Sequence, residues 1–220
     1  MDKRLFSIGD IHGCFDIFRI LLEQKIQIKE GDKIILLGDY IDRGTQSKEV
    51  IDYIFDLQAK GFDIVPLIGN HEAMLLDAYN NEGLTPKWIQ NGGSETLKSF
   101  GINFLKDIDS KYIEFIKGLP YYYAFDEYLF VNAGFNDSGI NPFADKYYMI
   151  WLCKQTYENP LLMNKIIIHG HRPIPVDVCK EIVHSNKNVI NLDTGCVYSN
   201  MIGYGTLTSI ELNTRSLYFA

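Results

Sequence analysis

The sequence is short of cysteine, and the cysteines it has are far apart. Its only four are Cys14, Cys153, Cys179 and Cys196, and no two of them form a C-x-x-C pair. This scatter argues against a disulfide framework and against a structural zinc site made of thiolates. We expect free thiols in a reducing compartment.

Long apolar runs and clusters of basic residues are also lacking. No apolar run approaches membrane-spanning length, and the first residues, MDKRLFSIGD, contain no apolar segment of a signal peptide. The net charge is -7 and no cluster of Lys or Arg is longer than two residues, which argues against a general nucleic-acid binder. The sequence therefore predicts a cytoplasmic protein with neither a membrane nor a nucleic-acid partner.

The chain does have enough apolar residues for a sizeable core. Of its 220 residues 46% are hydrophobic, and no repeat, low-complexity tract or linker divides them. We predict a single domain of the α/β class over residues 1–220. Its first third has the pattern β-α-β-α-β, with strands at 5–8, 33–37 and 63–68 and helices at 15–26 and 47–59.

The remaining two thirds of the chain are less regular. Residues 74–117 have a helical but interrupted pattern, which predicts an insertion over the sheet. Most of the later predicted strands are joined by turns, so we expect them to form a second, more antiparallel sheet, with a helix at 145–157. These strands are predicted at 121–125, 128–131, 165–168, 188–192, 207–212 and 216–219.

Polar side chains of metal-binding type follow each of the first three strands. They are Asp10 and His12 in SIGDIHG, Asp39, Asp42 and Arg43 in LLGDYIDRG, and Asn70 and His71 in LIGNHEA. The carboxyl ends of parallel strands meet at one edge of a sheet, where ligands bind in open α/β sheets. Each group follows a glycine, which allows a sharp turn and close approach of a bound group. We expect the three groups to converge.

The types of side chain indicate which metal they would hold. Asp10, His12, Asp39 and Asn70 offer carboxylate, imidazole and amide oxygen without thiolate, a set that suits Mn, Fe or Zn better than Ca. A central Asp39 would bridge two ions, and two ions about 4 Å apart are the usual arrangement for displacement at phosphorus. An H-E-x-x-H zinc protease motif is excluded, because position 75 is Leu.

The motifs GDIHG, GDYIDRG and GNHE, in this order, resemble the signature of the phosphoprotein phosphatase family of metallophosphoesterases. The resemblance continues through NGGSETLKSFG, which is similar to bacterial and phage members and their diadenosine tetraphosphatase relatives, to HGHRPIP and NLDTGCVYSN. It covers nearly the whole chain. It implies a four-layer α/β/β/α sandwich of the calcineurin-like type, with a dinuclear metal centre where the two sheets meet.

The resemblance also implies a role for each site residue. Asp10 and His12 would bind the first ion, Asp39 would bridge, and Asn70 and His171 would bind the second. Two divalent ions are implied, with Mn favoured and Fe or Zn as alternatives. In the implied mechanism a hydroxide bridging the ions attacks phosphorus, Arg43 neutralises charge on the phosphoryl oxygens, and His71, oriented by Asp42, protonates the leaving oxygen.

The chain departs from the family pattern at two places. Asn132 stands where the family has a histidine ligand of the second ion, and Cys153 stands where it has an arginine that grips phosphate. The amide oxygen of Asn132 can bind a metal, but it is shorter and weaker than imidazole, which disfavours Zn more than Mn. Lys154 is one position out of step to replace the arginine. His169 could either repair the metal site or be a buried histidine.

Three functions fit these observations. The first is a metal-dependent phosphatase of phosphomonoesters, with phosphoserine and phosphothreonine in proteins as substrates. The second is a phosphoanhydride hydrolase of the diadenosine tetraphosphate type. The third is a catalytically impaired relative that binds phosphate, which Asn132 and Cys153 keep open. The expected partner is a phosphorylated protein or a small phosphorylated substrate. Asp193 and Gly195 are expected to form a turn near the metals without binding them.

Overall fold

A computed structural model describes residues 3–185 and 187–220 of the chain. The strands are β1 (Leu5–Ile8), β2 (Lys33–Leu36), β3 (Asp63–Pro66), β4 (Tyr122–Phe125), β5 (Tyr128–Val131), β6 (Ile166–His169), β7 (Val189–Asn191), β8 (Thr208–Glu211) and β9 (Ser216–Phe219). The α-helices are α1 (Phe15–Ile20), α2 (Ser47–Ala59), α3 (Asn70–Asn80), α4 (Thr85–Trp88), α5 (Ser94–Phe100), α6 (Ser110–Gly118), α7 (Lys146–Trp151) and α8 (Val176–His184). A π-helical turn, Leu21–Ile26, continues α1.

The first sheet has the strand order β3-β2-β1-β8-β9. Strands β1, β2 and β3 are parallel, as the sequence pattern predicted, and their last residues are level, with Ile8 opposite Leu36 and Leu36 opposite Pro66. The loops that follow these strands therefore open at the same edge of the sheet. Strand β8 adds to β1 in the antiparallel direction and β9 follows it.

The second sheet has the order β4-β5-β6-β7, and here the prediction of a more antiparallel sheet is wrong. Only β4 and β5 are antiparallel, whereas β5, β6 and β7 are parallel. The connections 132–165 and 170–188 are long enough for the crossovers that parallel pairing requires. Strands β8 and β9 were also predicted in this sheet, but they complete the first one.

The two sheets face each other across an apolar layer. Ile35 and Leu37 from the first sheet and Phe130, Ile168 and Ile190 from the second are all fully or almost fully buried there. Burying each side chain of this size contributes about 1.5–3 kcal/mol. The alternate residues of the strands pack against α1, α2, α3, α6 and α7. Cys179 and Val183 of α8 pack beside β7. The predicted four-layer α/β/β/α architecture is confirmed.

Helix α7 is shorter than the predicted helix at 145–157. It ends at Trp151, because Leu152 has extended backbone angles of φ -123° and ψ 105°. Cys153 and Lys154 consequently lie in a loop and not on a helical face. Among the described residues, no helix combines the length and apolarity needed to cross a bilayer.

Candidate metal centre

Asp39 lies at the point where the loops after β1, β2 and β3 meet. Its side chain is buried, and its Oδ1 accepts a hydrogen bond of 3.0 Å from the backbone N–H of His71. Its carbonyl accepts from the N–H groups of Ile11 and His12, at 3.1 and 2.8 Å. A Cβ added at Gly69 would overlap the Asp39 carboxylate, so glycine is required for the loop after β3 to approach so closely.

His12 and Asp10 come from the loop after β1. The Nδ1 of His12 donates to the Ile41 carbonyl at 3.0 Å, so Nε2 carries the lone pair; it accepts from Nη1 of Arg43 at 2.7 Å. The Oδ2 of Asp10 accepts from the His171 N–H at 2.9 Å, while its Oδ1 is buried with no partner. Burial raises the pKa of Asp10 well above its usual value, and Asp193 and Asp39 raise it further.

Asn70 is the first residue of α3, while Asn132 and His171 follow β5 and β6 of the second sheet. The Nδ1 of His171 donates to Oδ1 of Asn70 at 2.8 Å. The Nδ2 of Asn132 donates to the Leu37 carbonyl at 3.1 Å, which leaves Oδ1 buried and without a partner. A buried acceptor without a partner destabilises the folded state by about 1–3 kcal/mol. A bound cation or a hydrogen-bond donor next to this oxygen would remove that loss.

His71 and Asp42 form a buried pair beside Asp39. The Nδ1 of His71 is 2.8 Å from Oδ2 of Asp42, and its Nε2 is buried without a partner. Asp42 is itself held by the indole N–H of Trp88 at 3.0 Å and the hydroxyl of Thr96 at 2.7 Å. Burial opposes protonation of His71, but Asp39 and Asp42 outweigh it, and the pKa of His71 is raised.

The backbone at this edge is held in a conformation that side chains rarely adopt. Of the eight non-glycine residues with positive φ in the described chain, five belong to the loops of this site. Strained backbone of this kind, at roughly 1–3 kcal/mol per residue, tends to mark functional sites. The five are His12 (47°), Asp39 (53°), Asp42 (69°), Arg43 (69°) and His171 (71°).

These side chains fit divalent cations. The ligand atoms of His12, Asp39 and His71 lie within 4.8 Å of one another. Buried side-chain atoms without a partner include Oδ1 of Asp10, Nε2 of His71 and Oδ1 of Asn132, all at this edge. Positive charge would satisfy the two oxygens, Oδ1 of Asp10 and Oδ1 of Asn132, and relieve the mutual repulsion of the carboxylates. The group contains no thiolate, as the sequence predicted, but it includes His71, which the sequence did not place among the ligands.

Comparison with known proteins identifies the family. The profile of the calcineurin-like phosphoesterases matches residues 3–197. The chain belongs to this family. Structural comparison agrees, because a solved candidate diadenosine tetraphosphatase superposes with a TM-score of 0.70 at 16% identity, covering 99% of this chain and 93% of the other. At this identity the likeness shows the calcineurin-like fold alone.

Curated relatives of this chain match it over part of their length. Serine/threonine-protein phosphatase 2 of Salmonella typhimurium is 35% identical over 91 residues, which are 41% of this chain and 39% of that protein. A symmetrical bis(5'-nucleosyl)-tetraphosphatase of Buchnera aphidicola is 37% identical over 94 residues, which are 43% of this chain and 32% of that protein. A zinc-dependent endopolyphosphatase of Saccharomyces cerevisiae is 32% identical over 114 residues, which are 50% of this chain and 34% of that protein. The matches thus span about a third of these relatives.

The sequence reasoning missed the role of Glu72 in this calcineurin-like site. Its carboxylate accepts hydrogen bonds from the N–H groups of Asp39 and Tyr40 at 2.8 Å and of Gly69 at 2.9 Å. It thereby ties the loop after β2 to the start of α3. Burial raises the pKa of Glu72 to about 7. The only signal in the sequence was its place in GNHE, which does not reveal contacts 32 and 33 residues away.

Three other predicted residues can now be placed. Lys154 does not replace the missing arginine at the site, because it pairs with Asp137 at 2.7 Å. Asp193 forms the predicted turn, its Oδ1 accepting from the Gly195 N–H at 2.9 Å, and burial raises its pKa to about 7. Its charge acts on Asp10, where it raises the pKa.

His169 and His171 are two residues apart, but they do not lie on one face of a strand. Strand β6 ends at His169, and the φ of His171 is 71°, which breaks the alternation. The Nδ1 of His169 instead donates to the Gly170 carbonyl at 3.0 Å. His169 is therefore a buried histidine at the end of β6, and it is not part of the group formed by His12, Asp39 and His71.

Burial of His169 predicts a loss of stability in acid. Burial lowers its pKa from 6.5 to about 4, so below pH 6.5 the unfolded chain takes up a proton that the folded chain refuses. The free energy of unfolding should fall by up to about 3 kcal/mol from this group between pH 6.5 and 4. Urea unfolding of His169→Gln should show a shallower fall than the wild type. His184→Gln, at an exposed position, should not; parallel profiles for His169→Gln and wild type would contradict the assignment.

Proposed function

We propose that this chain is a metal-dependent phosphatase that hydrolyses phosphomonoesters, with phosphoserine and phosphothreonine as the first candidate substrates. The observation that carries the proposal is the convergence of Asp10, His12, Asp39 and Asn70 around unpaired buried acceptors, with the His71–Asp42 pair beside them. The likeness to a serine/threonine-protein phosphatase supports the choice of substrate.

The residues divide into two metal positions that share Asp39. Asp10 and His12 would hold one ion with it, and Asn70, His171 and Asn132 would hold the other. Two bound divalent ions supply positive charge to the phosphoryl oxygens and lower the pKa of water. The hydrogen bond from Nδ1–H of His12 to the Ile41 carbonyl directs Nε2 of His12 toward the site. Arg43 donates to this Nε2, so the guanidinium of Arg43 has to move before His12 can bind a metal.

His71 serves as the general acid. Its Nδ1–H is committed to Asp42, so its exchangeable proton is at Nε2, which faces the site without a partner. Asp39 and Asp42 raise the pKa of His71, which favours the protonated ring, and transfer of the Nε2 proton to the leaving oxygen prevents a costly alkoxide from forming. Arg43 reaches the site close to His12 and can place its fork of donors on the phosphoryl oxygens.

A phosphoanhydride substrate is the second candidate. Two relatives of the chain are named for such activities, a symmetrical bis(5'-nucleosyl)-tetraphosphatase and an endopolyphosphatase. The third candidate, an impaired phosphate-binding relative, rests on Asn132, whose amide oxygen is a weaker donor than imidazole. The three candidates differ in what they hydrolyse and in how much metal they hold.

Restoring a histidine at position 132 should strengthen metal binding. We expect Asn132→His to raise Mn affinity at least about tenfold. Changing a residue that only hydrogen-bonds to a metal ligand typically costs at least about tenfold in affinity, so changing a ligand itself should have at least this effect. Mn per chain is measured by mass spectrometry, alongside hydrolysis of p-nitrophenyl phosphate, a phosphoserine peptide and diadenosine tetraphosphate in excess Mn. Asn103→His, at an exposed site, is the matched control.

The outcomes separate the candidates. If Asn132→His gains neither metal nor activity, Asn132 is not a ligand. Full occupancy and rapid turnover by the unmodified chain exclude the impaired relative. A preference for diadenosine tetraphosphate over both monoesters would favour the second candidate, a phosphoanhydride hydrolase, and would overturn the proposal that phosphomonoesters are the substrates.

A further inference from the structure

The segment Thr85–Phe100 contains two buried hydrogen-bonding side chains outside the metal positions. It consists of α4, a π-helical turn (Ile89–Gly93) and α5, and it includes most of the stretch NGGSETLKSFG. Trp88 ends α4 and Thr96 lies on α5, and each residue is 1% exposed. Both side chains reach Asp42 in the loop after β2.

The Asp42 carboxylate accepts hydrogen bonds from three side chains. The indole N–H of Trp88 lies between its two oxygens, with Nε1 at 3.1 Å from Oδ1 and 3.0 Å from Oδ2. The hydroxyl of Thr96 is 2.7 Å from Oδ1, and Nδ1 of His71 is 2.8 Å from Oδ2. Because the carboxylate is fully buried, Trp88 and Thr96 determine which way it turns, and Oδ2 is left to accept from His71.

The proton on the Thr96 hydroxyl can be placed from its partners. An ionised carboxylate only accepts, so this hydroxyl donates to Oδ1 of Asp42 and uses its lone pairs for other donors. These donors are the N–H of Asp42 at 2.9 Å and the hydroxyl of Ser47 at 3.2 Å. Thr96 therefore holds both the side chain and the backbone of Asp42, whose φ of 69° is among the positive values at this site.

The same segment lies directly against Arg43. The Gly92 carbonyl accepts a hydrogen bond of 3.2 Å from the Arg43 N–H. Gly92 has a φ of 109°, and a Cβ added to it would lie 2.7 Å from the backbone nitrogen of Arg43, which is too close. Glycine is therefore required where the segment meets the loop after β2.

The ring of His71 depends on Asp42 for its orientation. Within residues 3–185 and 187–220, Oδ2 of Asp42 is the hydrogen-bond partner of Nδ1 of His71, while Nε2 has none. The ring also packs edge-on against His12, with the two centroids 4.6 Å apart. If the Asp42 carboxylate turned, Nδ1 would be released, and Nε2 would no longer be held toward the leaving oxygen.

We propose that Trp88 and Thr96 are positioning residues for the general acid. They fix the Asp42 carboxylate so that Oδ2 holds the Nδ1–H of His71, and Nε2 of His71 then stays directed at the leaving oxygen. They act through Asp42 and not on the substrate. The inference rests on the proposed phosphatase activity and gives the segment Thr85–Phe100 a role in it. Catalytic geometry stays precise when the group that holds a reacting side chain is itself held by hydrogen bonds.

The test uses Trp88→Phe, which keeps an aromatic ring without the N–H, and Thr96→Val, which keeps the shape without the hydroxyl. In excess Mn, kcat is measured for phenyl phosphate, whose leaving oxygen needs a proton, and for p-nitrophenyl phosphate, whose leaving oxygen does not. Each variant should lose about tenfold on phenyl phosphate, as expected for one hydrogen bond to a charged group, and less than about twofold on p-nitrophenyl phosphate. Thr96→Ser should recover the rate. Thr85→Val, the same change at the start of α4, should match the wild type.

A double variant tests whether the effect passes through His71. In a His71→Asn background, Trp88→Phe should cause no further loss on phenyl phosphate, because the acid that it positions is already absent. A second loss of about tenfold would show that Trp88 acts elsewhere and would overturn the proposal. Equal losses on the two substrates in the single variants would overturn it too, since they would indicate damage to the metal centre.

Nuclear magnetic resonance of the metal-free chain with isotope-labelled histidine gives a readout that does not depend on activity. The Nδ1–H signal of His71 is identified by its loss in His71→Asn. Its exchange with water should be about tenfold faster in Trp88→Phe and Thr96→Val and unchanged in Thr85→Val. An unchanged rate in both of the first two variants would overturn the positioning role. If the wild type hydrolyses neither ester, the proposed phosphatase activity fails, while the exchange rates still decide whether Trp88 and Thr96 hold the His71–Asp42 pair.

Discussion

Replacing Asp39 by asparagine is expected to reduce Mn-dependent phosphatase activity by at least about 10³-fold, because both metal positions lose a negatively charged ligand at once. The amide oxygen can still accept the His71 N–H that Oδ1 of Asp39 accepts at 3.0 Å, so the loops should keep their places. Initial rates with p-nitrophenyl phosphate and Mn content per chain are the measurements.

The control for Asp39→Asn is the same substitution at Asp56, an exposed residue of α2 that pairs with Lys60. Asp56→Asn should retain wild-type rates and metal. Circular dichroism should show both variants folded. Activity above a tenth of the wild type in folded Asp39→Asn, with metal still bound, would mean that Asp39 does not bridge.

The second large effect is expected at His71. Replacing it by asparagine should lower the rate on a substrate with a poor leaving group, such as phenyl phosphate, by about 10²–10⁴-fold, the range for loss of a general acid. The loss on p-nitrophenyl phosphate should be much smaller, because p-nitrophenolate leaves without a proton. A metal ligand would not show this difference, so equal losses on both substrates would assign His71 to metal binding.

Asp42→Asn provides the companion measurement. The Asp42 carboxylate helps to raise the pKa of His71, so its loss should lower that pKa. A general acid has to be protonated, and activity therefore falls as pH rises through its pKa. In Asp42→Asn this fall should move to lower pH, whereas an unchanged pH profile would show that Asp42 does not govern the acid.

Much of the candidate centre could be predicted from the sequence, because its ligands follow parallel strands that are contiguous in the chain. The pattern β-α-β-α-β fixes the direction of β1, β2 and β3, and their level ends bring Asp10, Asp39 and Asn70 to one edge. Asn132 and His171 come from the second sheet. Their placement beside this edge was expected only from the resemblance to a family.

What could not be predicted depends on contacts between distant segments. Strand β8 pairs with β1 about two hundred residues away, and no local pattern indicates that choice. The role of Glu72 depends on the N–H groups of another loop. Lys154 forms an ion pair with Asp137 and is therefore not available to the site. The position of His169 relative to His171 could not be predicted either, because β6 ends at His169, two residues before His171.

The most direct test of the metal centre is anomalous diffraction at the manganese edge, from crystals of the unmodified chain grown with Mn²⁺. Two peaks are predicted on either side of the Asp39 carboxylate, one against Asp10 and His12 and the other against Asn70, His171 and Asn132. A map with no peak at Asp39, from crystals that contain Mn²⁺ in excess, would contradict the account.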